Sequence, residues 1–272
     1  MKLPSFWTNL GENFRRVYIP AHILTVIGLV SIFTGDTSAW WLLAVYPAWF
    51  LFGHIGFAIF IHKYYCHRMF ETRPWIARLG AYFGMLCGTG SPVMLKVLHI
   101  GVHHPNTDTD KDPHTPLKGF WWSYFLWLNH KWDFKKVWLA KDMMKDPVIK
   151  FYHKHYYSIY WGTFLLLCLV DWRLAVFTIS MATFLEFHLS GIVNTYGHTP
   201  HKGSYQNYPD QDNSQNIPWL NWLTLGLGLH NNHHGQAWNW NYAHKPGEID
   251  FAAWFVPLIA TNIKIRKNEN VS

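Results

Sequence analysis

Two pairs of long apolar runs constrain the fold of this chain more than any other feature. Most of these runs have close to the ~20 residues with which an α-helix crosses ~30 Å of hydrocarbon. Only a few polar residues intervene within each pair, at Gly35–Ser38 and at Asp171–Arg173, so each pair predicts a tight helical hairpin. We therefore predict an all-α integral membrane protein with four transmembrane helices in two hairpins. The predicted spans are residues 17–34, 40–61, 156–170 and 174–193.

Basic residues mark the outer ends of the first hairpin. Arg15 and Arg16 precede it, Arg68 follows it, and Trp40 and Trp41 lie at its turn. Because positive residues favour the cytoplasmic side and tryptophans favour the interface, we expect a multi-pass protein with both termini and the histidine-rich segments on the cytoplasmic face. The rest of the chain then forms a helical cytoplasmic cap, which makes residues 1–272 a single domain. The cap is expected from residues 62–155 and 198–272.

Composition favours a membrane protein over other classes. Half of the residues are hydrophobic and only 14% are charged, against about 25% in soluble domains, which excludes a disordered chain. The net charge of +7 comes from short basic segments around the apolar runs. This distribution favours an anionic membrane surface over nucleic acid. Further basic residues in these segments are Lys2, Lys135, Lys136, Lys264, Arg266 and Lys267.

One more apolar segment, residues 77–98, is rich in glycine and contains Pro92. A single extra membrane pass at this point would move the later histidines to the opposite face of the membrane. We therefore expect an interfacial or re-entrant helix here.

Eight of the 18 histidines fall into three closely spaced groups, and a ninth, His198, follows the last predicted span. HKYYCH follows the second span, HIGVHH follows the glycine-rich segment, and HNNHH lies in the C-terminal cap. On an α-helix, residues i and i+4 share a face and residue i+5 lies ~140° away, so each group presents imidazoles in two directions. Nine imidazoles exceed the four ligands of one zinc ion and predict two metal ions of the kinds that imidazole suits, which are zinc, copper, iron and nickel. The nine are His62, His67, His99, His103, His104, His198, His230, His233 and His234.

These groups resemble the three histidine boxes of integral-membrane fatty-acid desaturases, in their order and in the membrane hairpin between the second and third boxes. TDKDPH at 109–114, GFWWS at 119–123 and VNTYGH at 193–198 resemble strings of the stearoyl-type acyl-CoA and cyanobacterial acyl-lipid delta-nine branch. The resemblance covers residues 57–258. Two departures stand out: box two is HxxxHH where that branch has HxxHH, and GLGLHNNHH replaces GEGWHNNHH.

The resemblance implies an O2-dependent enzyme that introduces a cis double bond into the acyl chain of an acyl-CoA or acyl-lipid. It implies two iron ions (Fe2+/Fe3+), O2 as co-substrate, and an external electron donor, either ferredoxin or a b-type cytochrome. It also implies a division of the ligands, with Asn194 holding a water at the second iron. One iron takes His62, His67, His99, His104 and His234, and the other takes His103, His198, His230 and His233.

Further residues are candidates for supporting roles. Carboxylates after box two would accept the second N–H of ligand imidazoles, although a solvated acidic loop gives the same pattern. Residues one and two helical turns before His62 would border the far end of an acyl tunnel, and aromatic residues would line it or lie in the interfacial belt. The supporting candidates are Asp108, Asp110, Asp112 and His114, and the tunnel candidates are Ile55, Ala58, Trp121 and Trp122.

Two other functions fit parts of the pattern. A related histidine-box hydroxylase or oxygenase of a lipid or alkane would use the same oxidant and differ only in its product. A metal transporter or sensor would place its ligands inside the spans, whereas these histidines lie at the span ends. The sequence leaves open the position of the double bond, the chain length and the head group.

Overall fold

A computed structural model describes residues 10–129 and 137–263, and helices dominate them. The mainly helical class is confirmed, with one addition: Phe70–Thr72 (β1) and Ala260–Ile263 (β2) form an antiparallel pair in which Phe70 is opposite Ile263. The basic residues at 2, 135, 136, 264, 266 and 267 lie outside the described ranges. The helices are Gly11–Phe33 (α1), Ala39–Cys66 (α2), Pro74–Met85 (α3), Pro92–Leu98 (α4), Phe120–Tyr124 (α5), Pro147–Lys154 (α6), Tyr156–Val170 (α7), Trp172–Tyr196 (α8), Pro218–Thr224 (α9), His230–Gly235 (α10) and Ala252–Ile259 (α11).

Three of these helices, α1, α2 and α8, are long and apolar enough to cross a membrane. Large apolar side chains on their outer surfaces have no protein cover; Phe33 in α1 is 93% exposed, and Leu169 in α7 is 83% exposed. Such exposure is costly in water but not in lipid. The chain is therefore a membrane protein. Helix α7 has only 15 residues, so a fourth crossing stays a prediction.

Helix α2 extends beyond the predicted end of its span, from residue 61 to Cys66, and its second half is π-helical over Phe50–Cys66. A second π-helical turn, His99–His103, continues helix α4. In a π-helix each N–H bonds to the carbonyl five residues earlier, whereas in an α-helix it bonds four residues earlier. The first two histidine boxes lie at these two turns, which the sequence interpretation treated as α-helical.

The glycine-rich segment folds as two helices, α3 and α4, with Gly88 and Gly90 at positive φ between them. With 12 residues, α3 is shorter than the ~20 residues of a crossing helix. It packs on α2 at close range, because a Cβ atom added to Gly84 would lie 2.5 Å from the carbonyl oxygen of Gly56. This contact fixes α3 and α4 against the helix that carries box one.

The main core lies between α1, α2, α7 and α8 and is built on buried aromatic residues such as Trp49, Tyr160 and Phe177. Glu186 in α8 is buried there, and its carboxylate accepts hydrogen bonds from Trp49 Nε1 (3.0 Å) and Ser190 Oγ (2.7 Å). These bonds compensate for the loss of water around a buried charge. Glu186 is thereby part of the packing of α8 against α2.

Candidate metal centre

The π-helical turns bring together histidines that are five residues apart. His67 N–H donates to the carbonyl of His62 (3.1 Å), and His104 N–H donates to the carbonyl of His99. Each bond joins residues i and i+5, so the two side chains of each pair lie on one face. In an α-helix these pairs would diverge by ~140°. The turns therefore allow boxes one and two each to supply two imidazoles to the same place.

Five imidazoles converge around His99 and form the first group. The Nε2 atom of His99 lies 2.8 Å from that of His62, 3.0 Å from that of His67 and 3.1 Å from that of His104. The Nε2 atom of His233 in helix α10 lies 3.3 Å from the same atom. A ring nitrogen carries at most one proton, so these four contacts cannot all be hydrogen bonds. The first group is His62, His67, His99, His104 and His233.

The second group lies beside the first and contains the other four histidines. His230 and His198 approach to 2.9 Å between their Nε2 atoms, and His103 and His234 approach to 3.3 Å. The groups are adjacent, because the ring nitrogens of His104, His233 and His234 all lie within 4.8 Å of one another. The second group is His103, His198, His230 and His234.

The grouping differs from the expected division at one pair of residues. His234 was expected with the first set and His233 with the second, but the structure exchanges them. Helix α10 gives the reason, because His230 and His234 are related by i and i+4 and share a face. His233, one residue earlier, points to the other group.

The donor atoms fit a cation. His103 Nδ1 lies 3.0 Å from Asp112 Oδ2, and His234 Nδ1 lies 2.7 Å from Asp212 Oδ2. An ionised carboxylate only accepts, so each ring donates through Nδ1 and keeps a lone pair on Nε2. These two Nε2 lone pairs face each other at 3.3 Å, an arrangement that a positive ion between them would stabilise. The same reasoning applies to the nitrogens around His99.

Burial keeps these imidazoles neutral, the form that binds metals. It lowers the pKa of His103, His230 and His234 well below the usual value, and neighbouring imidazoles add to the effect. Burial lowers the pKa of His104 to about 4 and raises that of Asp112 to about 7. A metal ion on His103 would oppose the shift at Asp112, because its charge favours the carboxylate.

The other supporting candidates have different positions. Asp108 Oδ1 lies 3.3 Å from His198 Nδ1, whereas Asp110 is exposed on the same loop. His114 is buried, and its ring centroid lies 4.2 Å from that of His103. Asn194 lines the cavity beside His230.

Two residues at the centre were not found from the sequence. Asp212 accepts from His234, and the Tyr242 hydroxyl lies 3.4 Å from His62 Nδ1. Both lie in the C-terminal cap, outside the histidine boxes. The only signal in the sequence for Asp212 is its position between His198 and box three, which does not distinguish it from Asp210.

A largely apolar cavity of about 140 Å³ opens beside both groups. His62, His99, His230 and His233 form part of its wall, and the cavity extends between α1, α4 and α8 to Tyr18 and Phe187. Such a lining suits an apolar ligand. Its surface therefore brings apolar ligand atoms next to the ring nitrogens.

The tunnel candidates are not among the residues that line this cavity. Ile55 packs in a cluster with Ile59 and Phe60, and Ala58 is buried without lining the cavity. Helix α2 lines the cavity with His62 and with Phe57, which lies five residues earlier in the π-helical stretch. Trp121 is 62% exposed, and Trp122 Nε1 donates to the carbonyl of Pro113. Trp127 does line the cavity.

Comparison with known proteins identifies the chemistry of such a site. The model of the family described as fatty acid desaturase matches residues 38–244, which include all nine histidines. This chain belongs to the fatty acid desaturase family. The desaturase matches the sn-1 stearoyl-lipid 9-desaturase of Anabaena variabilis with 32% identity over 88% of this chain and 90% of the relative.

Two further relatives show how broadly this desaturase resembles the family. The acyl-CoA C20 Delta5-desaturase of Anemone leveillei is 29% identical over 90% of this chain and 81% of its own length. The sn-2 palmitoyl-lipid 9-desaturase of Nostoc sp. is also 29% identical, over 80% of this chain and 78% of its own. The chain is therefore an enzyme of fatty-acid desaturation, in the branch that the histidine boxes indicated.

Proposed function

We propose that this desaturase uses two iron ions and O2 to introduce a cis double bond at the delta-nine position of a saturated acyl chain. The acyl chain is carried by a glycerolipid or by CoA. The observation that carries the proposal is the position of both histidine groups in the wall of an apolar cavity. The names of the relatives support the delta-nine position, since two of the three described above are 9-desaturases.

The nine histidines are proposed as the ligands of the two ions. Iron is preferred to the other metals that imidazole binds, because an unactivated C–H bond requires an oxidant that redox-inactive zinc does not provide. When bound, the two irons would supply with O2 and two electrons the oxidising power that removes two hydrogens from neighbouring carbons, while O2 is reduced to water.

The residues of the chain provide binding, orientation and exclusion of water. The apolar walls, among them Phe57, Trp127 and Phe187, desolvate the acyl chain and hold one methylene pair beside the ring nitrogens. Asp112 and Asp212 hold the Nδ1 protons of His103 and His234, which fixes the tautomer and the direction of each Nε2 lone pair. Asn194 lies in the cavity wall, where its side chain can hold a water molecule.

The electrons come from a separate protein, for which ferredoxin or a b-type cytochrome are the candidates. Exposed lysines support docking of an acidic donor, among them Lys141, Lys145 and Lys150 on the segment that leads into α6 and on α6 itself. Complementary charge accelerates such an encounter and makes it sensitive to salt. We propose that this surface and the histidine boxes lie on the cytoplasmic face, as Arg15 and Arg16 near the start of α1 indicate.

Expression in a host that lacks delta-nine desaturase activity tests this function. We expect new monounsaturated fatty acids, whose double-bond position is read by mass spectrometry of their dimethyl disulfide adducts. A His233→Ala variant, expressed at the same level, should give none. Hydroxylated acyl chains would instead indicate the hydroxylase alternative, and an unchanged lipid profile would contradict the proposal.

A further inference from the structure

The two histidine groups differ in what lies behind their rings. In the second group, two of the four imidazoles are hydrogen-bonded through Nδ1 to a carboxylate, His234 at 2.7 Å and His103 at 3.0 Å, and a third carboxylate oxygen lies 3.3 Å from His198 Nδ1 without a hydrogen bond. The carboxylates belong to Asp212, Asp112 and Asp108. Within residues 10–129 and 137–263, no imidazole of the first group has a carboxylate at such a distance.

The first group has a different partner at its back. The Tyr242 hydroxyl lies 3.4 Å from His62 Nδ1, and the ammonium of buried Lys63 lies 3.0 Å from the centre of the Tyr242 ring. The ammonium group of Lys63 forms an ion pair with Asp250 Oδ2 at 2.9 Å. Because Lys63 neutralises this carboxylate, Asp250 adds little negative charge near the first group. A neutral phenol is a weaker acceptor than a carboxylate.

The two loops that supply the carboxylates are bonded to each other. Asn213 N–H donates to Asp108 Oδ2 at 2.7 Å, which ties the loop after box two to the loop before α9. Asp212 Oδ1 also accepts from the backbone N–H of Ser214 at 2.9 Å. The carboxylates are therefore fixed in position relative to the rings that they support.

We propose that the second group is the tighter of the two metal positions, and that Asp212, acting through His234, is a positioning residue that makes it so. A carboxylate behind an imidazole makes the ring a stronger donor and fixes its orientation, and losing such a partner typically costs ~10–100-fold in metal affinity. Three carboxylates also place more negative charge near the second position than near the first. The inference rests on the proposed two-iron function and ranks its two positions.

Release of iron to a chelator tests this ranking. The full chain, purified in detergent and loaded with two Fe(II) ions without oxygen, is mixed with ferrozine, and the coloured complex is followed with time. We expect two phases of one iron each, with the slow phase arising from the second group. Asp212→Asn should accelerate the slow phase by ~10–100-fold and leave the fast phase unchanged. If the Asn oxygen accepts from the Ser214 N–H, its NH2 group faces His234 and cannot accept the Nδ1 proton. In the flipped orientation the oxygen faces His234, but it is neutral and a weaker acceptor than a carboxylate.

Two further variants make the test independent of one loop. Asp112→Asn removes the partner of His103 on the other loop and should also accelerate only the slow phase. This variant therefore tests the ranking even if Asp212→Asn does not fold. Asp110→Asn is the matched control, because Asp110 is exposed on the loop of Asp112, and it should change neither phase.

The outcomes separate this inference from the proposed function. Two irons released with a single rate constant, or equal acceleration of both phases by Asp212→Asn and Asp112→Asn, would overturn the ranking and leave the two-iron centre intact. A wild-type protein that never takes up two irons would contradict the centre itself, and the ranking with it.

Discussion

His99 occupies the middle of the first group, within 3.3 Å of four other ring nitrogens. Among the described residues, no other imidazole has so many ring nitrogens of the proposed ligands within 3.3 Å. Removing its imidazole leaves the neighbouring nitrogens without their common partner. The effect of a substitution here should therefore be on metal binding as well as on activity.

We expect His99→Ala to lower desaturation by at least ~100-fold, the upper end of the loss caused by removing a supporting group alone. Fatty-acid analysis of expressing cells measures the activity, and metal analysis of the purified variant should show the loss of one ion. His201→Ala is the control, because His201 lies on the loop after His198 and its Nδ1 contacts only the carbonyl of Thr199. Equal losses in both variants would indicate general destabilisation.

Phe57 lines the cavity from helix α2. Phe57→Ala should enlarge the cavity and shift the products toward longer or bulkier acyl chains, because the ring no longer limits the space beside His62. Ile55→Ala is the matched control: it removes a comparable apolar side chain, at a cost of ~2–5 kcal/mol, from a cluster outside the cavity. Gas chromatography of total lipids distinguishes them. Identical product profiles would exclude Phe57 from the tunnel wall.

At the scale of helices, the π-helical segments Phe50–Cys66 and His99–His103 separate what the sequence could predict from what it could not. The histidine spacing was sufficient to identify nine candidate ligands, because HxxxxH and HxxxHH are visible in any conformation. The tunnel residues were counted back from His62 with a 3.6-residue turn, which leads to Ala58, whereas the residue that lines the cavity in this π-helical stretch is Phe57. A π-helix depends on packing around the helix, and no local sequence pattern revealed it here.

The contacts of Asp212 and Tyr242 could not be predicted for a related reason. Each reaches a histidine that is distant in sequence, through loops of the cap whose course depends on the whole fold. Asp212 becomes a partner of His234 only once the loop before α9 is bonded to Asp108. By contrast, the long apolar helices α1 and α2 follow from local apolar runs, and their positions were predictable within about six residues.

The contact between α2 and α3 predicts a difference between two glycines. An added Cβ at Gly84 meets the carbonyl oxygen of Gly56 at 2.5 Å, whereas one at Gly162 in α7 meets nothing within 4 Å. Gly84→Ala should therefore lower the free energy of unfolding by ~1–3 kcal/mol and lower the Tm, while Gly162→Ala should leave the Tm unchanged or raise it slightly. Thermal unfolding in detergent measures both. A Tm for Gly84→Ala at or above that of Gly162→Ala would contradict the close packing.

At the scale of the whole molecule, the central question of topology is whether α7 crosses the membrane. Its 15 residues are fewer than those of α1, α2 and α8, but a second hairpin with α8 returns the chain to the side of the cap. Four crossings place the two turns together on one side and both termini on the other. Three crossings would separate the termini.

Cysteine labelling in intact cells distinguishes these arrangements. Single cysteines introduced at Ser38 and at Trp172, in a background without the three native cysteines, should both react with a membrane-impermeant maleimide. A cysteine at Lys118, in the cap, should react only after the membrane is permeabilised. Labelling of the Lys118 position in intact cells would contradict the proposed orientation, and protection of only one turn would contradict the two hairpins.

The proposed centre requires two metal ions in one chain. Metal analysis of the detergent-purified protein, reconstituted with iron without oxygen, measures this as metal per chain at a known protein concentration. We expect close to two irons per chain for the wild type and close to one for His233→Ala, because His233 belongs to the first group alone. A wild-type value near one or zero, or two irons retained by His233→Ala, would contradict the proposed centre.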